Sequence, residues 1–476
     1  MLTPFKHQAQ VISDTRDRDF YALLWEMRVG KTLPIIRTAD YHYSETGRID
    51  SVTIIAPSGV HINWARKAIP EDRGQQDNII EWHSGQAASK GFQKHLQEAL
   101  DSPRLLWLCA NVESLQTERL RAIIESILTK RKGAMLVIDE AHTIKTPSAK
   151  RTKYLMKIAS RFRVRRILTG TPITQGPFDL WAPFYVLDPQ ILGKHFVPFK
   201  QRYGIFRRVR FGGPAFDQLV GYKDLEHLSD RIKPYSSRLT QKDVWDSLPE
   251  VVYERRYFEM SDAQQSAYND LKTNLILQLD NGDYIDAQQA IVALIRLQQI
   301  SRGFVSNGED TFDLGSPKPS VSVLLDLLME TTGKVIVWCR FTKDVDTIIS
   351  AFKEAKVHGV RYDGLVDIDE RARALDLFNN DPNYRVLVGT PASGGVGVDM
   401  SAADTMVFYS HNYMLGERLQ AIARMQGPKQ KSKSLLLIDM VGADTADEKV
   451  LDAITRKEDL LATITGDRLR ELLGAK

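Results

Sequence analysis

Only two cysteines, Cys109 and Cys339, occur in the 476 residues. No spaced set of Cys and His pairs accompanies them, which excludes a disulfide framework or a thiolate metal centre. Both lie in apolar runs, LLWLCA and VIVWCRF, where a thiol packs as a small hydrophobe. No run of about 18 apolar residues is present to span a bilayer. The amino-terminal MLTPFKHQAQ lacks the apolar core of a secretory signal, so the expectation is a cytoplasmic protein without a membrane partner. Charge of one sign is not in large excess either: 64 Lys and Arg face 60 Asp and Glu, a net +4 that identifies no polyanion partner by itself. Internal repeats and low-complexity segments are absent. An apolar fraction of 43% with 26% charged residues excludes disorder and predicts a folded protein of two or three domains. The basic residues are clustered, at 150–166, at 202–210 and at Lys429, Lys431 and Lys433.

Short β-rich apolar runs recur with helical stretches between them: YALLW (21–25), VTIIA (52–56), LLWLCA (105–110), AMLVID (134–139) and RRILTG (165–170). That alternation predicts a parallel sheet with crossover helices. A second series follows, KVIVWC (334–339), RVLVGT (385–390), TMVFYS (405–410) and SLLLIDM (434–440), so two α/β sheets are expected. Between them, 178–330 carries little strand pattern, and its later part has helical spacing. Helical insertions are expected there, with FGGP (211–214) as an exposed turn.

After the first strand comes EMRVGKTLPII, in which Gly30, Lys31 and Thr32 open a helix. Free backbone N–H groups at the helix start, the Lys31 ammonium and a Thr32 hydroxyl able to hold Mg²⁺ suit a nucleoside triphosphate. The glycine-rich pattern is broken at Arg28, four residues before Thr32. Asp139 and Glu140, in DEAH, directly follow the strand AMLVI and therefore emerge at the carboxyl edge of the sheet, where α/β proteins bind ligands. Asp139 suits Mg²⁺, and Glu140 suits orienting or deprotonating an attacking water. His142 lacks the HExxH spacing of a zinc site. Trp64 and Trp338 sit in or beside apolar runs and read as packing residues.

Taken in order, PFKHQ with Gln8, GKT, IIAPSGVHINW (54–64), DEAH and Leu168-Thr169-Gly170-Thr171-Pro172 resemble the elements of superfamily-two helicases. The stretches 238–268 and 362–410 resemble the Swi/Snf-type translocase branch. This resemblance implies an α/β fold of two RecA-like parallel-sheet lobes in tandem with helical insertions: lobe 1 over 1–255 with an insertion at about 178–240, and lobe 2 over 256–476 with one at about 261–330. It implies ATP and Mg²⁺ as ligands, with Gln8 on adenine, Gly30, Lys31, Thr32, Gly397, Asp399 and Gln420 around the nucleotide, and Thr32 and Asp139 on the metal. Lys31, Asp139, Glu140 and Arg424 become the catalytic set, and Pro57, Ser58, Lys145, Thr169, Gly170, Thr390 and Gly394 the nucleic-acid contacts. In LQAIARMQGPKQ the family's second arginine is replaced by Gly427, so Arg424, or a nearby Arg418 or Lys429, must supply the arginine finger. The implied activity is nucleic-acid-dependent ATP hydrolysis that drives translocation on duplex DNA, gripped through its backbone, with a possible stimulating or targeting protein partner. The compact form is similar to versions carried by bacteria and bacteriophages. Two other readings stay open: a DNA or RNA unwinding helicase with a wedge within 178–260, and a hydrolysis-deficient nucleic-acid-binding clamp.

Overall fold

The computed structural model describes residues 2–210, 215–244, 249–280, 287–306, 310–316, 318–391, 398–426 and 430–465. Its strands, in chain order, are β1 (Phe20–Leu23), β2 (Ser51–Ala56), β3 (Asn78–Glu81), β4 (Leu106–Asn111), β5 (Ala134–Asp139), β6 (Val164–Leu168), β7 (Gly204–Val209), β8 (Phe216–Tyr222), β9 (Ser236–Ser237), β10 (Glu250–Phe258), β11 (Phe304–Ser306), β12 (Thr311–Asp313), β13 (Lys334–Trp338), β14 (Gly359–Tyr362), β15 (Val386–Gly389), β16 (Ala403–Phe408) and β17 (Ser434–Gly442). Five helices position the site or join the lobes: α1 (Lys6–Thr15), α2 (Thr32–Asp40), α3 (Leu225–Ile232), α4 (Leu415–Met425) and α5 (Ala446–Thr465).

Among the described residues, the first sheet has the order β3-β4-β2-β5-β6-β1-β9 and the second β10-β17-β16-β13-β15-β14. Each neighbouring pair is parallel. A parallel sheet covered on both faces buries successive side chains in opposite directions, which is why its strands read as unbroken apolar runs. In β2, Ile55 enters one apolar cluster while Val52, Ile54 and Ala56 enter the other. The second sheet is sandwiched in the same way: Val335 and Val337 of β13 face one cluster, Ile336 and Trp338 the other. Cys109 and Cys339 are buried and unbridged, and burial pushes both thiols up.

Because β2, β5, β6 and β1 are adjacent and parallel, the loops leaving their carboxyl ends lie side by side. Four of the predicted motifs occupy those loops: Pro57-Ser58 after β2, Asp139-Glu140 at the end of β5, Thr169-Gly170 after β6 and the Arg28–Lys31 loop after β1.

The insertions differ from the expectation of helices alone. The segment 178–240 contains an antiparallel hairpin of β7 and β8, and β9 joins the edge of the first sheet beside β1. A boundary at 255/256 would cut β10, whose nine residues all pair with β17, so the passage between the sheets falls before Glu250. The FGGP turn lies outside the described residues. No helix among the described residues is long and apolar enough to cross a membrane. The two lobes touch through α3 against α5 and through α4, described next.

Candidate nucleotide site

The loop between β1 and α2 is built around groups that the chain itself satisfies. Gly30 has φ +82°, a conformation suited to glycine. A Cβ at this position would collide with the Gln8 side chain of α1. Gln8 grips the loop instead: its Nε2 donates to Gly30 O at 2.8 Å, and its Oε1 accepts from Phe5 N at 2.8 Å. Lys31 Nζ donates to Trp25 O at 2.9 Å and Glu26 O at 3.1 Å, and burial holds its ammonium below the usual lysine range. Arg238, from the segment leading out of the first lobe, donates to Leu24 O at 2.8 Å and Glu26 Oε1 at 3.1 Å. Gln241 adds Nε2 to Met27 O at 3.1 Å. Gln8, Lys31, Arg238 and Gln241 thus hold the loop, and of these Arg238 and Gln241 did not stand out in the sequence.

At the end of β5, Asp139 and Glu140 are 8% and 3% exposed, and Glu140 takes a left-handed φ of 52°. Such backbone strain in a non-glycine residue is retained where the surroundings over-determine it. Burial, then the neighbouring Glu140 charge, pushes the Asp139 carboxyl up to about 6. For Glu140, burial is outweighed by the close His142 ring and the Lys31 charge, which hold it below the usual range. The Glu140 charge thus acts directly on its neighbour Asp139. Asp139 Oδ2 accepts from Trp64 Nε1 at 2.8 Å. Trp64, read from the sequence as packing, therefore orients the predicted metal ligand. Its aromatic ring gave no signal beyond an apolar neighbourhood, and only the fold brings its N–H to position 139.

His142 Nδ1 lies 3.2 Å from Glu140 Oε2 and 3.4 Å from both Thr169 Oγ1 and Thr171 Oγ1. Thr169 and Thr171 are 3% and 2% exposed, and Gly170 abuts the backbone of Trp25 and Met27. Thr169 and Gly170 were expected at a nucleic-acid contact. They are buried between the DEAH segment and the phosphate loop. Lys145 meets Thr174 Oγ1 and lies 3.6 Å from Asp179. Ser58 is exposed, while Pro57 and Thr390 are partly so. Gly394, Gly397, Gly427 and Lys429 lie outside the described residues.

The second lobe brings Gln420 and Arg424, both on α4, to the same place. One cavity of about 270 Å³ is lined by Gly30, Lys31, Thr32, Trp64, Asp139 and Glu140 from the first lobe and by Gln420 and Arg424 from the second. Arg424 is 6% exposed, and its Nη1 has no hydrogen-bond partner within the protein. Its guanidinium stacks over Trp338 at 5.6 Å, and burial pulls its pKa down to about 10. No carboxylate among the described residues pairs with it; a buried cation without a counter-ion is costly, and a phosphate in the cavity would relieve it. Arg418 is not free for that task, because it forms a bidentate pair with Asp439 at 2.7 and 2.9 Å. Asp399 sits near the same seam and pairs with Arg28 Nη2 at 3.1 Å.

These observations define a class: two parallel α/β sheets whose carboxyl-edge loops enclose a cavity completed by charged groups from both sides. The chain matches the SNF2-related domain over residues 22–303 and the helicase conserved C-terminal domain over residues 319–426. It belongs to the SNF2-related family. An uncharacterized ATP-dependent helicase of Mycoplasma genitalium is 24% identical over 459 residues, covering 96% of this chain and 41% of that protein. TATA-binding protein-associated factor MOT1 of Saccharomyces cerevisiae is 25% identical over 395 residues, 72% of this chain and 21% of that protein. Human chromodomain-helicase-DNA-binding protein 1 is 23% identical over 471 residues, 91% of this chain and 25% of that protein. The chain thus spans well under half the length of these relatives. A SWI2/SNF2 ATPase core of Sulfolobus solfataricus, solved in complex with double-stranded DNA, aligns over 98% of this chain and 96% of its own at 18% identity with a TM-score of 0.42.

A pH dependence follows from Asp139. A carboxyl raised to about 6 is anionic, and able to bind a cation, only above that value. Affinity for Mg²⁺-ATP is therefore expected to be full near pH 8 and to decline as pH falls through 6. Trp64→Phe removes a hydrogen bond that favours the anion, so its decline is expected at higher pH. Calorimetric titrations between pH 5 and 8 check both, and coincident profiles would count against the Trp64 assignment.

Proposed function

We propose that the chain is a nucleic-acid-dependent ATPase that translocates along duplex DNA, gripping the backbone and coupling hydrolysis to closure of the two lobes. The observation that carries this reading is the shared cavity, with Lys31, Asp139 and Glu140 on one side and Gln420 and Arg424 on the other. Lys31 would exchange its two carbonyl partners for phosphate oxygens. Thr32 and Asp139 would hold Mg²⁺, which when bound neutralises phosphate charge. Glu140, kept anionic by His142 and Lys31, accepts a proton from the attacking water. Arg424 stabilises the charge that develops on the transferred phosphoryl group. Because α4 belongs to the second lobe, the catalytic set is complete only while the lobes stay together, which makes hydrolysis and lobe position two faces of one equilibrium.

Gln8 reaches adenine in this reading by the Nε2 that now holds Gly30. Through Glu140, His142 and Thr169-Gly170-Thr171, the phosphate state reaches the inner side of the nucleic-acid loops, so Thr169 and Gly170 act as couplers. Ser58, Pro57, Thr390, Gly394 and Lys145 supply backbone contacts, which carry no base information and weaken with salt. The setting is the cytoplasm of a bacterial or phage-infected cell, with a partner protein to stimulate or target the motor.

ATP hydrolysis measured with duplex DNA, single-stranded DNA and RNA, beside triplex displacement and strand separation, tests the reading. Duplex-stimulated turnover with triplex displacement, both abolished in Lys31→Ala, is the expected result. Strand separation would replace translocase by helicase, a reading to which the β7–β8 hairpin would lend a wedge. ATP binding without turnover would replace it by a clamp.

A further inference from the structure

Arg28 breaks the glycine-rich pattern of the phosphate loop, and its backbone shows the cost: its φ is 62°, the left-handed region that glycine occupies without strain. What keeps it there is across the seam. Its Nη2 donates to Arg424 O at 2.6 Å, to Asp399 Oδ1 at 3.1 Å and to Val398 O at 3.5 Å, and its Nη1 donates to Gln426 O. All four acceptors belong to the second lobe. Two of them, Arg424 O and Gln426 O, lie at the carboxyl end of α4, where carbonyls lack intrahelical donors and carry the negative end of the helix dipole. A guanidinium presents five donors in a rigid fork and satisfies such a cluster, whereas a lysine ammonium offers a single point charge.

The other end of α4 is also seated on the first lobe. Gly416 packs so closely that a Cβ there would lie 3.2 Å from Thr174 Cγ2. The helix that carries Gln420 and Arg424 is thus fixed at its start by close packing against Thr174 and at its end by Arg28.

The geometry points to Arg28 as a positioning residue, a latch from the phosphate loop to the carboxyl end of α4 that sets Gln420 and Arg424 over the cavity before nucleotide arrives. It rests on the reading of that cavity as an ATP site, whereas the latch contacts are between protein groups alone. An apparent defect in the loop thereby becomes the part that couples it to the second lobe.

The full chain tests this with one dye on each lobe, at Glu45→Cys and Lys353→Cys. Both positions are exposed, and the native thiols are buried. Single-molecule energy transfer without nucleotide should give a narrow distance distribution for the parent. For Arg28→Gly it should be broad and shifted to longer distance, and for Arg28→Lys intermediate. Since glycine relieves the positive φ, Arg28→Gly should keep or raise the melting temperature, which separates loss of the latch from misfolding. In turnover, misplacing Arg424 should cost roughly tenfold to a hundredfold in kcat, and misplacing Gln420 should raise KM for ATP beside it. A phosphate-loop residue that only bound substrate would move KM alone. A distance distribution unchanged by Arg28→Gly overturns the proposal, whether or not the parent hydrolyses ATP. A chain that hydrolyses nothing yet shows the distance change keeps the latch and refutes the ATPase reading.

Discussion

Arg424→Ala is expected to lower kcat for ATP hydrolysis by roughly 10³- to 10⁵-fold, while a fluorescent ATP analogue still binds. The size of the effect follows from what Arg424 lacks. It is buried, its Nη1 has no protein partner, and Arg418, the other arginine on α4, is spent on Asp439. No described guanidinium on α4 therefore stands ready to replace it. Truncation also removes the contacts of Arg424 with Pro391 O and the Trp338 ring, so the melting temperature should fall modestly while the fold and nucleotide binding persist. Arg424→Lys should recover only part of the rate, because an ammonium keeps the charge but loses the planar fork. Stopped-flow nucleotide binding with steady-state turnover checks the split. A variant retaining more than about a tenth of the parental rate would remove Arg424 from the catalytic set.

What the sequence disclosed, and what it hid, follows from burial. The central strands β2, β4, β5, β13, β16 and β17 are covered on both faces, so their residues must be apolar and they announce themselves as runs. The edge strands do not. NIIE of β3 and GVRY of β14 are four residues long, and EVVYERRYF of β10 mixes charged with apolar residues and buries only Phe258. Nothing in their composition separates them from loops, and the β10 boundary was misplaced for that reason. At the site, residue type and spacing singled out Lys31, Asp139 and Glu140, the family resemblance singled out Gln420 and Arg424, and all five line one cavity. Trp64, Arg238 and Gln241 were not, since a side chain that orients another needs only one donor in the right place, and many sequences supply that. Arg28 was legible as a departure but not as a part: its acceptors lie about 370 to 400 positions away, a separation across which local patterns carry no information.

Glu140→Gln should lower kcat by roughly 10²- to 10⁴-fold and leave Mg²⁺-ATP bound, trapping the closed pair of lobes. The substitution preserves shape, so His142 keeps its neighbour and the left-handed backbone keeps its side chain. What changes is charge. The Glu140 anion is the second cause of the raised Asp139 carboxyl, after burial, so neutralising it should bring Asp139 down toward its ordinary range and keep Mg²⁺-ATP affinity intact to lower pH than in the parent. The same substitution thus weakens catalysis while extending the pH range of binding, a pairing that a merely damaged fold would not produce. Parallel pH profiles of binding and single-turnover hydrolysis decide the matter. If binding in Glu140→Gln declines at the same pH as in the parent, the two carboxyls are not electrostatically linked, and the division of labour between metal ligand and base fails with that link.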